Sequence, residues 1–179
     1  MGKEVFVLKK ILKKLCIAAM MTAVSVVIGL VCKNFFTWNI YYRVTFENLP
    51  IIIVGYFLGP IYGAAAGAIA DVVSCLFSTN PAVNPIIMLG AATVGALAGL
   101  SRIVFRKTKM SFSLAVAVAS AHLFGQVIIK SIGKILFFGM PPIGILIGLA
   151  ISAVVGALEY FFIRALLKNH YINKTLSDF

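Results

Sequence analysis

Acidic residues are scarce in this sequence: only 5 of its 179 residues are Asp or Glu, against 16 Lys or Arg. The chain also has only 2 histidines and 3 cysteines. Cys16, Cys32 and Cys75 lack the paired spacing of metal ligands, and their odd number does not suggest a disulfide framework. We therefore predict no metal site and no cofactor, and we interpret the cysteines as small packing residues.

The motifs of several reaction classes are missing as well. There is no Gly-x-x-x-x-Gly-Lys-Ser/Thr phosphate loop, so we do not expect this chain to hydrolyse ATP. Neither His-Glu-x-x-His nor Gly-x-Ser-x-Gly occurs, and His122 and His170 lie far apart. The sequence thus argues against an enzyme, and any ATP-driven work must come from a partner.

The chain is mostly apolar: it is 61% hydrophobic and only 12% charged, with a mean hydropathy of +1.05. A soluble domain of this length could not bury so much apolar surface. A membrane helix needs about 20 apolar residues, so the chain has room for roughly six of them. We predict an all-α membrane protein, a compact bundle of six transmembrane helices in a single domain.

Breaks in the apolar runs predict where these helices lie. Gly59-Pro60 and Met140-Pro141-Pro142 divide long apolar stretches, and the Asn-Pro pairs between residues 78 and 85 favour a loop. The expected spans are residues 15–32, 46–58, 61–77, 86–105, 113–138 and 143–167.

The basic residues predict the orientation. If successive spans cross the membrane in opposite directions, most lysines and arginines fall on or near one side; the exceptions are Lys33, Arg43, Lys130 and Lys134. The positive-inside rule places the side with more basic residues in the cytoplasm. Both termini are then cytoplasmic, in a multi-pass protein of the cell membrane. Short basic clusters beside apolar segments also favour contact with lipid headgroups and argue against nucleic-acid binding.

Small residues recur at helical spacing. Glycines stand at positions 55, 59, 63 and 67, and the same interval separates Gly95 from Gly99 and Gly144 from Gly148. Such faces let helix backbones approach closely in lipid, where burial from water does not drive association. We expect them to serve compact packing within the chain.

Polar side chains inside the predicted spans are the candidate functional residues, because charge is costly in hydrocarbon. Arg43 and Glu47 flank the start of the second span, and Asp71 lies in the third. His122, Gln126 and Lys130 follow one face of the fifth at intervals of four. We expect these groups to converge in the outer half of the bundle. The alternative is structural: Asp71 pairs with a donor, and Lys130 extends to the headgroups.

Together these side chains favour a ligand with an aromatic head and an acidic tail. Aromatic residues before the second span suit stacking on a planar ring, and Arg43 and Lys130 suit an anion. Glu47 or Asp71 can accept paired hydrogen bonds from an amino-substituted heterocycle. The same chemistry also fits other polar anionic solutes.

Several segments resemble the substrate-binding S components of energy-coupling-factor (ECF) vitamin transporters, most closely the folate-specific members. The likeness lies in Arg43-Val44-Thr45-Phe46-Glu47-Asn48-Leu49-Pro50-Ile51, in Gly67-Ala68-x-Ala70-Asp71, in Asn84-Pro85-Ile86, in His122-Leu123-Phe124-Gly125 and in Ile129-Lys130-Ser131-Ile132-Gly133.

This resemblance implies a subunit of the bacterial plasma membrane that captures folate outside. The implied subunit delivers the vitamin inward together with a coupling transmembrane subunit and two ABC-type ATPases. It also implies that Ala19 and Ala23 dock the coupling subunit. The implied substrate-binding residues are Trp38, Tyr41, Arg43, Phe46, Glu47, Asp71, Asn84, His122, Gln126 and Lys130.

Three other interpretations stay open. The first is an S component for riboflavin, thiamine or a queuosine precursor. The second is an integral-membrane enzyme acting on lipid through Asp71, His122 and Lys130. The third is a purely structural membrane subunit.

Overall fold

The computed structural model of the chain describes residues 2–35, 44–78 and 83–168. Over these ranges the protein is all-helical and contains no strand. Six helices follow one another: α1 (Gly2–Phe35), α2 (Asn48–Leu58), α3 (Pro60–Leu76), α4 (Pro85–Val104), α5 (Met110–Phe138) and α6 (Gly144–Lys168). The predicted all-α class is therefore confirmed.

Four of the described helices, α1, α4, α5 and α6, are long and apolar enough to cross a membrane. Helices α2 and α3 are also apolar but shorter, with 11 and 17 residues. Only Leu49 and Phe57 of α2 are not fully buried, so the other helices surround α2 on nearly all sides. A short helix enclosed in this way has little contact with lipid.

The turn between α2 and α3 is a single residue, Gly59. Its φ of 113° lies in a region that L side chains rarely adopt, and its N–H donates to the carbonyl of Gly55. Pro60 then begins α3, where its missing N–H costs no helical hydrogen bond. The two helices therefore fold back on each other without a connecting loop.

Glycines bring α3 and α4 into backbone contact. A Cβ at Gly95 would lie closer than 3.0 Å to the backbone of Gly63, and a Cβ at Gly67 would meet the carbonyl of Ala91 in the same way. A Cβ at Gly55 of α2 would also collide with Gly95. The glycine spacing in α2, α3 and α4 thus serves packing inside the chain. The prediction is wrong for Gly148 of α6, where an added Cβ would have nothing within 4 Å.

Helix α5 changes its hydrogen-bonding pattern near its middle. It is α-helical over Met110–Ser120, π-helical over Ala121–Ile129, and α-helical again over Lys130–Phe138. A π-helical turn holds more residues than an α-helical one, so it alters the directions of the side chains that it carries. His122, Gln126 and Lys130 all lie in or directly after this segment.

Candidate functional site

A buried ion pair joins α5 to the start of α2. Lys130 Nζ donates to Glu47 Oε1 over 3.3 Å, and both side chains are more than nine-tenths buried. Asp71 of α3 and Ser25 of α1 lie around the same narrow gap, which has no room for a water molecule. The structure thus brings together three charged residues predicted for the site, which we call the carboxylate–lysine cluster (Glu47, Asp71 and Lys130).

Two glycines make room for this cluster. A Cβ at Gly90 would lie 2.6 Å from Cγ of Lys130, and a Cβ at Gly29 would lie 2.9 Å from Oε2 of Glu47. Side chains at either position would push the ion pair out of place. Neither glycine was predicted to belong to the site, because the need for space arises only where separate helices meet.

Glu47 is held by α1 as well as by Lys130. The hydroxyl of Ser25 donates to the Glu47 carbonyl over 2.6 Å, and the Glu47 N–H donates to Oγ1 of Thr45 over 3.2 Å. Both hydroxyl residues are buried. These bonds fix the backbone at the entrance to α2, and neither Ser25 nor Thr45 was identified from the sequence as a site residue.

Asp71 differs from Glu47 in having no donor. It is only 4% exposed, and neither carboxylate oxygen has a hydrogen-bond partner in the described part of the chain. A buried carboxylate without donors is costly, so a protein that retains one needs a reason to do so. Because the cluster space is too narrow for a water molecule, a ligand can reach Asp71 only if the surrounding helices or loops move.

His122 lies in a second polar cluster, formed with α6. Its Nε2 is 2.8 Å from Oε2 of Glu159, and its Nδ1 is 2.9 Å from Oγ of Ser152. With the proton on Nε2, the ring donates to Glu159 and accepts from Ser152. His122 therefore does not line the space between Glu47, Asp71 and Lys130.

Sequence reasoning missed both partners of His122. Glu159 is completely buried, and Gly156, one turn before it, leaves room for the imidazole ring. A signal for Glu159 was present: it is one of only 5 acidic residues, and it lies in the middle of a predicted span. Ser152 offered no comparable signal, because serine is common in membrane helices.

The order Ser152, His122, Glu159 has the hydrogen-bond connectivity of a nucleophile, a base and an acid, and it borders an apolar groove of about 400 Å³. Acyl transfer also needs N–H donors aimed at the developing oxyanion. Ser152 lies inside α6, where neighbouring backbone N–H groups are used by the helix. The arrangement therefore supports helix packing better than it supports catalysis.

Removing either member of the His122–Glu159 pair should destabilise the fold. We expect His122→Ala and Glu159→Ala each to cost about 3 kcal/mol, because each leaves a polar partner buried alone. The double variant should lose clearly less free energy of unfolding than the two single variants lose in sum. Thermal unfolding of the four proteins in detergent measures this coupling, and additive losses would contradict the pairing.

Of the remaining predicted ligand residues, three lie in the described part of the chain and three lie outside it. Asn84 caps α4: its Oδ1 accepts from the N–H groups of Ile86 and Ile87 over 2.9 and 3.4 Å. Gln126 and Phe46 are half-buried, and Oε1 of Gln126 lacks a partner among the described residues. The others, Trp38, Tyr41 and Arg43, lie outside the described residues.

Asn48 is a further polar residue of this region, and it was not among the predicted site residues. It is completely buried beside Glu47, and both atoms of its side-chain amide lack partners in the described ranges. Like Asp71, it combines full burial with unused hydrogen-bonding capacity.

Ala19 and Ala23 lie on the outer face of α1. Both are exposed, whereas Ala18, Thr22 and Ser25 of the same helix are buried against the bundle. The small-residue pair is thus available for contact with another membrane helix, as its predicted docking role requires.

Comparison with known proteins identifies the family of the chain. A family model described as "ECF transporter, substrate-specific component" matches residues 13–168. None of the curated proteins compared matches the chain.

Two solved structures share the fold. A crystal structure of FolT bound with folic acid has a TM-score of 0.68 at 20% identity and covers 83% of this chain and 89% of its own. The S-component for biotin from an ECF-type ABC transporter has a TM-score of 0.66 at 16% identity, covering 90% and 94%. At such identities the likeness shows the fold, and the family match extends over most of the sequence. The chain belongs to the substrate-specific components of ECF transporters, which are integral membrane proteins that bind a transported substrate and are not enzymes.

Proposed function

We propose that this protein is the folate-binding S component of an ECF-type ABC importer in a bacterial plasma membrane. It captures folate outside and delivers it inward together with a coupling transmembrane subunit and two ABC-type ATPases. The observation that carries the proposal is Asp71, a buried carboxylate beside the Glu47–Lys130 ion pair that has no donor among the described residues. The fold shared with FolT supports the choice of ligand.

In this proposal all six helices cross the membrane and both termini are cytoplasmic. Helix α2 is about 16 Å long at 1.5 Å per residue, too short to span the hydrocarbon core alone. Its burial within the bundle removes that requirement, because protein rather than lipid surrounds its backbone. The carboxylate–lysine cluster then lies toward the outer surface, where α2 and α4 begin.

The two carboxylates of the cluster have different roles in this proposal. Glu47 already accepts from Lys130, so it holds the lysine in place. Asp71 has both oxygens available for the paired N–H donors on one edge of a pterin ring. The structure thereby favours Asp71 over Glu47 as the group that contacts the head of the ligand, a choice that the sequence left open.

The other predicted residues complete the ligand site. Trp38, Tyr41 and Phe46 stack on the pterin ring, and Arg43 and Lys130 attract the glutamate tail. Gln126 contributes its Oε1 atom and Asn84 its Nδ2 atom, neither of which has a partner in the part of the chain that the structure describes. His122 acts indirectly, by fixing α5 against α6.

Transport requires the site to open on both sides in turn. Folate enters beneath the segments between α1 and α2 and between α3 and α4, and the subunit reorients in the membrane as the partner ATPases change state. Ligand contacts favour one state and partner contacts favour the other, which biases the equilibrium.

Equilibrium binding to the purified protein in detergent tests the proposal. We expect saturable binding of folate and none of biotin, riboflavin or thiamine. Saturable binding of one of those vitamins in place of folate would make the substrate assignment wrong and leave the family unchanged. Folate uptake by cells should also require co-expression of the coupling subunit and the ATPases.

Enlarging the small-residue face of α1 should separate partner docking from ligand binding. We expect Ala19→Trp and Ala23→Trp to reduce the amount of coupling subunit that co-purifies, at least tenfold, and to leave the folate Kd unchanged. A bulky side chain on this face keeps the helices apart. Ala150→Trp, at an exposed alanine of α6, is the matched control. Full complex formation by both α1 variants would contradict this docking face.

A further inference from the structure

Helix α1 is longer than a membrane span requires. Its 34 residues extend about 51 Å, whereas the hydrocarbon core is about 30 Å thick. At its C-terminal end Lys33 donates to Ser74 and Cys75 of α3, which ties that end to the bundle. The surplus length therefore lies at the N-terminal end, over roughly residues 2–14, and residues 4–13 are all exposed.

This surplus segment has two chemically different faces. At 100° per residue, two groups of side chains occupy opposite arcs of about 140° each. One arc is apolar and the other is basic. The apolar residues are Val7, Leu8, Ile11, Leu12 and Leu15, and the basic residues are Lys9, Lys10, Lys13 and Lys14. Glu4 and Phe6, one turn further out, depart from this pattern.

An apolar face in water is unfavourable, and this one is well exposed: Leu8 by 64% and Leu12 by 61%. If α1 continued straight along the membrane normal, Leu8 would lie about 10 Å beyond Leu15, past the hydrocarbon boundary. Tilting or bending near Leu15 would return the apolar face to the acyl boundary. The same movement would bring the four lysines to the level of the phosphates.

We propose that residues 4–14 form a membrane-surface anchor that binds anionic phospholipid headgroups of the cytoplasmic leaflet. A basic amphipathic helix beside a membrane span is suited to such a surface, because one face enters the acyl boundary and the other meets negative charge. The proposal rests on the cytoplasmic N-terminus proposed above.

Tryptophan fluorescence of the full-length protein in nanodiscs tests the anchor. Leu8→Trp in a Trp38→Phe background provides a single reporter, since the chain has only 1 tryptophan. The discs contain phosphatidylcholine alone or with phosphatidylglycerol at roughly three to one, so that anionic lipid is the only variable. Because both leaflets have the same composition, this result does not depend on the orientation of the chain or on its vitamin.

We expect phosphatidylglycerol to shift the emission to the blue and to reduce acrylamide quenching at least twofold. High salt should reverse part of the effect, because it screens the lysines. Replacing Lys9, Lys10, Lys13 and Lys14 by glutamine should abolish it, whereas Lys107→Gln with Lys109→Gln, on the exposed segment after α4, should not. Equal emission in both lipids, or a shift that appears only when the coupling subunit is added, would overturn the proposal.

Discussion

Asp71→Asn is expected to weaken folate binding about 100-fold, because it removes the charge from two hydrogen bonds and turns one acceptor into a donor. The substitution keeps the size of the side chain, so the helices around it need not move. Isothermal titration or fluorescence titration with the purified protein measures the change. Glu4→Gln, the same chemical change at an exposed carboxylate, is the control and should bind folate normally.

Stability provides the second measurement on Asp71. Since the buried carboxylate has no donor within residues 2–35, 44–78 and 83–168, Asp71→Asn should leave the melting temperature of the ligand-free protein unchanged or raise it. A folate analogue without the 2-amino group should bind the native protein more weakly than folate does. The Asp71→Asn variant should bind folate and the analogue about equally. An unchanged folate Kd in the variant would remove Asp71 from the site.

Gly95→Ala is expected to have the largest effect on folding, with a loss of about 3 kcal/mol or more. A methyl group there collides with the backbone of Gly63, and a backbone cannot rotate away as a flexible side chain can. Helices α3 and α4 must separate, which also disturbs Gly55 of α2. Thermal unfolding in detergent, or the yield of monodisperse protein where the variant does not fold, measures the loss.

Gly148→Ala is the matched control for this prediction. Gly148 lies in α6, and a Cβ added there has nothing within 4 Å. Its replacement should be neutral or slightly stabilising, because alanine favours a helix over glycine by up to about 1 kcal/mol. Equal effects of the two substitutions would mean that close backbone contact between α3 and α4 does not support the fold.

Local features of the sequence were enough to predict much of the architecture. The hydropathy requires apolar helices, and the resemblance in the segments around Glu47, Asp71 and Lys130 identified the family that the match over residues 13–168 now shows. The number of spans and the position of the termini stay predictions. Four described helices are long enough to cross a membrane, and α2 and α3 are shorter.

The candidate site was predicted less completely, because its contacts join residues that are distant in the chain. Lys130 and Glu47 are 83 positions apart, and His122 and Glu159 are 37 apart. Helical spacing placed His122, Gln126 and Lys130 on one face. In the structure, His122 contacts Glu159 of α6, whereas Lys130, directly after the π-helical segment, contacts Glu47 at the start of α2.

A helical membrane protein with paired small residues, basic ends and a few intramembrane charges could be predicted from the sequence, because these properties depend on composition and on neighbours within one helix. Which of the charges meet depends on the packing of the helices. Glu47 is paired with Lys130, and Asp71 is buried with no donor from the described segments. Glycines at positions 29 and 90 leave space for the Glu47 and Lys130 side chains. Such facts follow from how separate helices approach each other, and no pattern along a single helix specifies that approach.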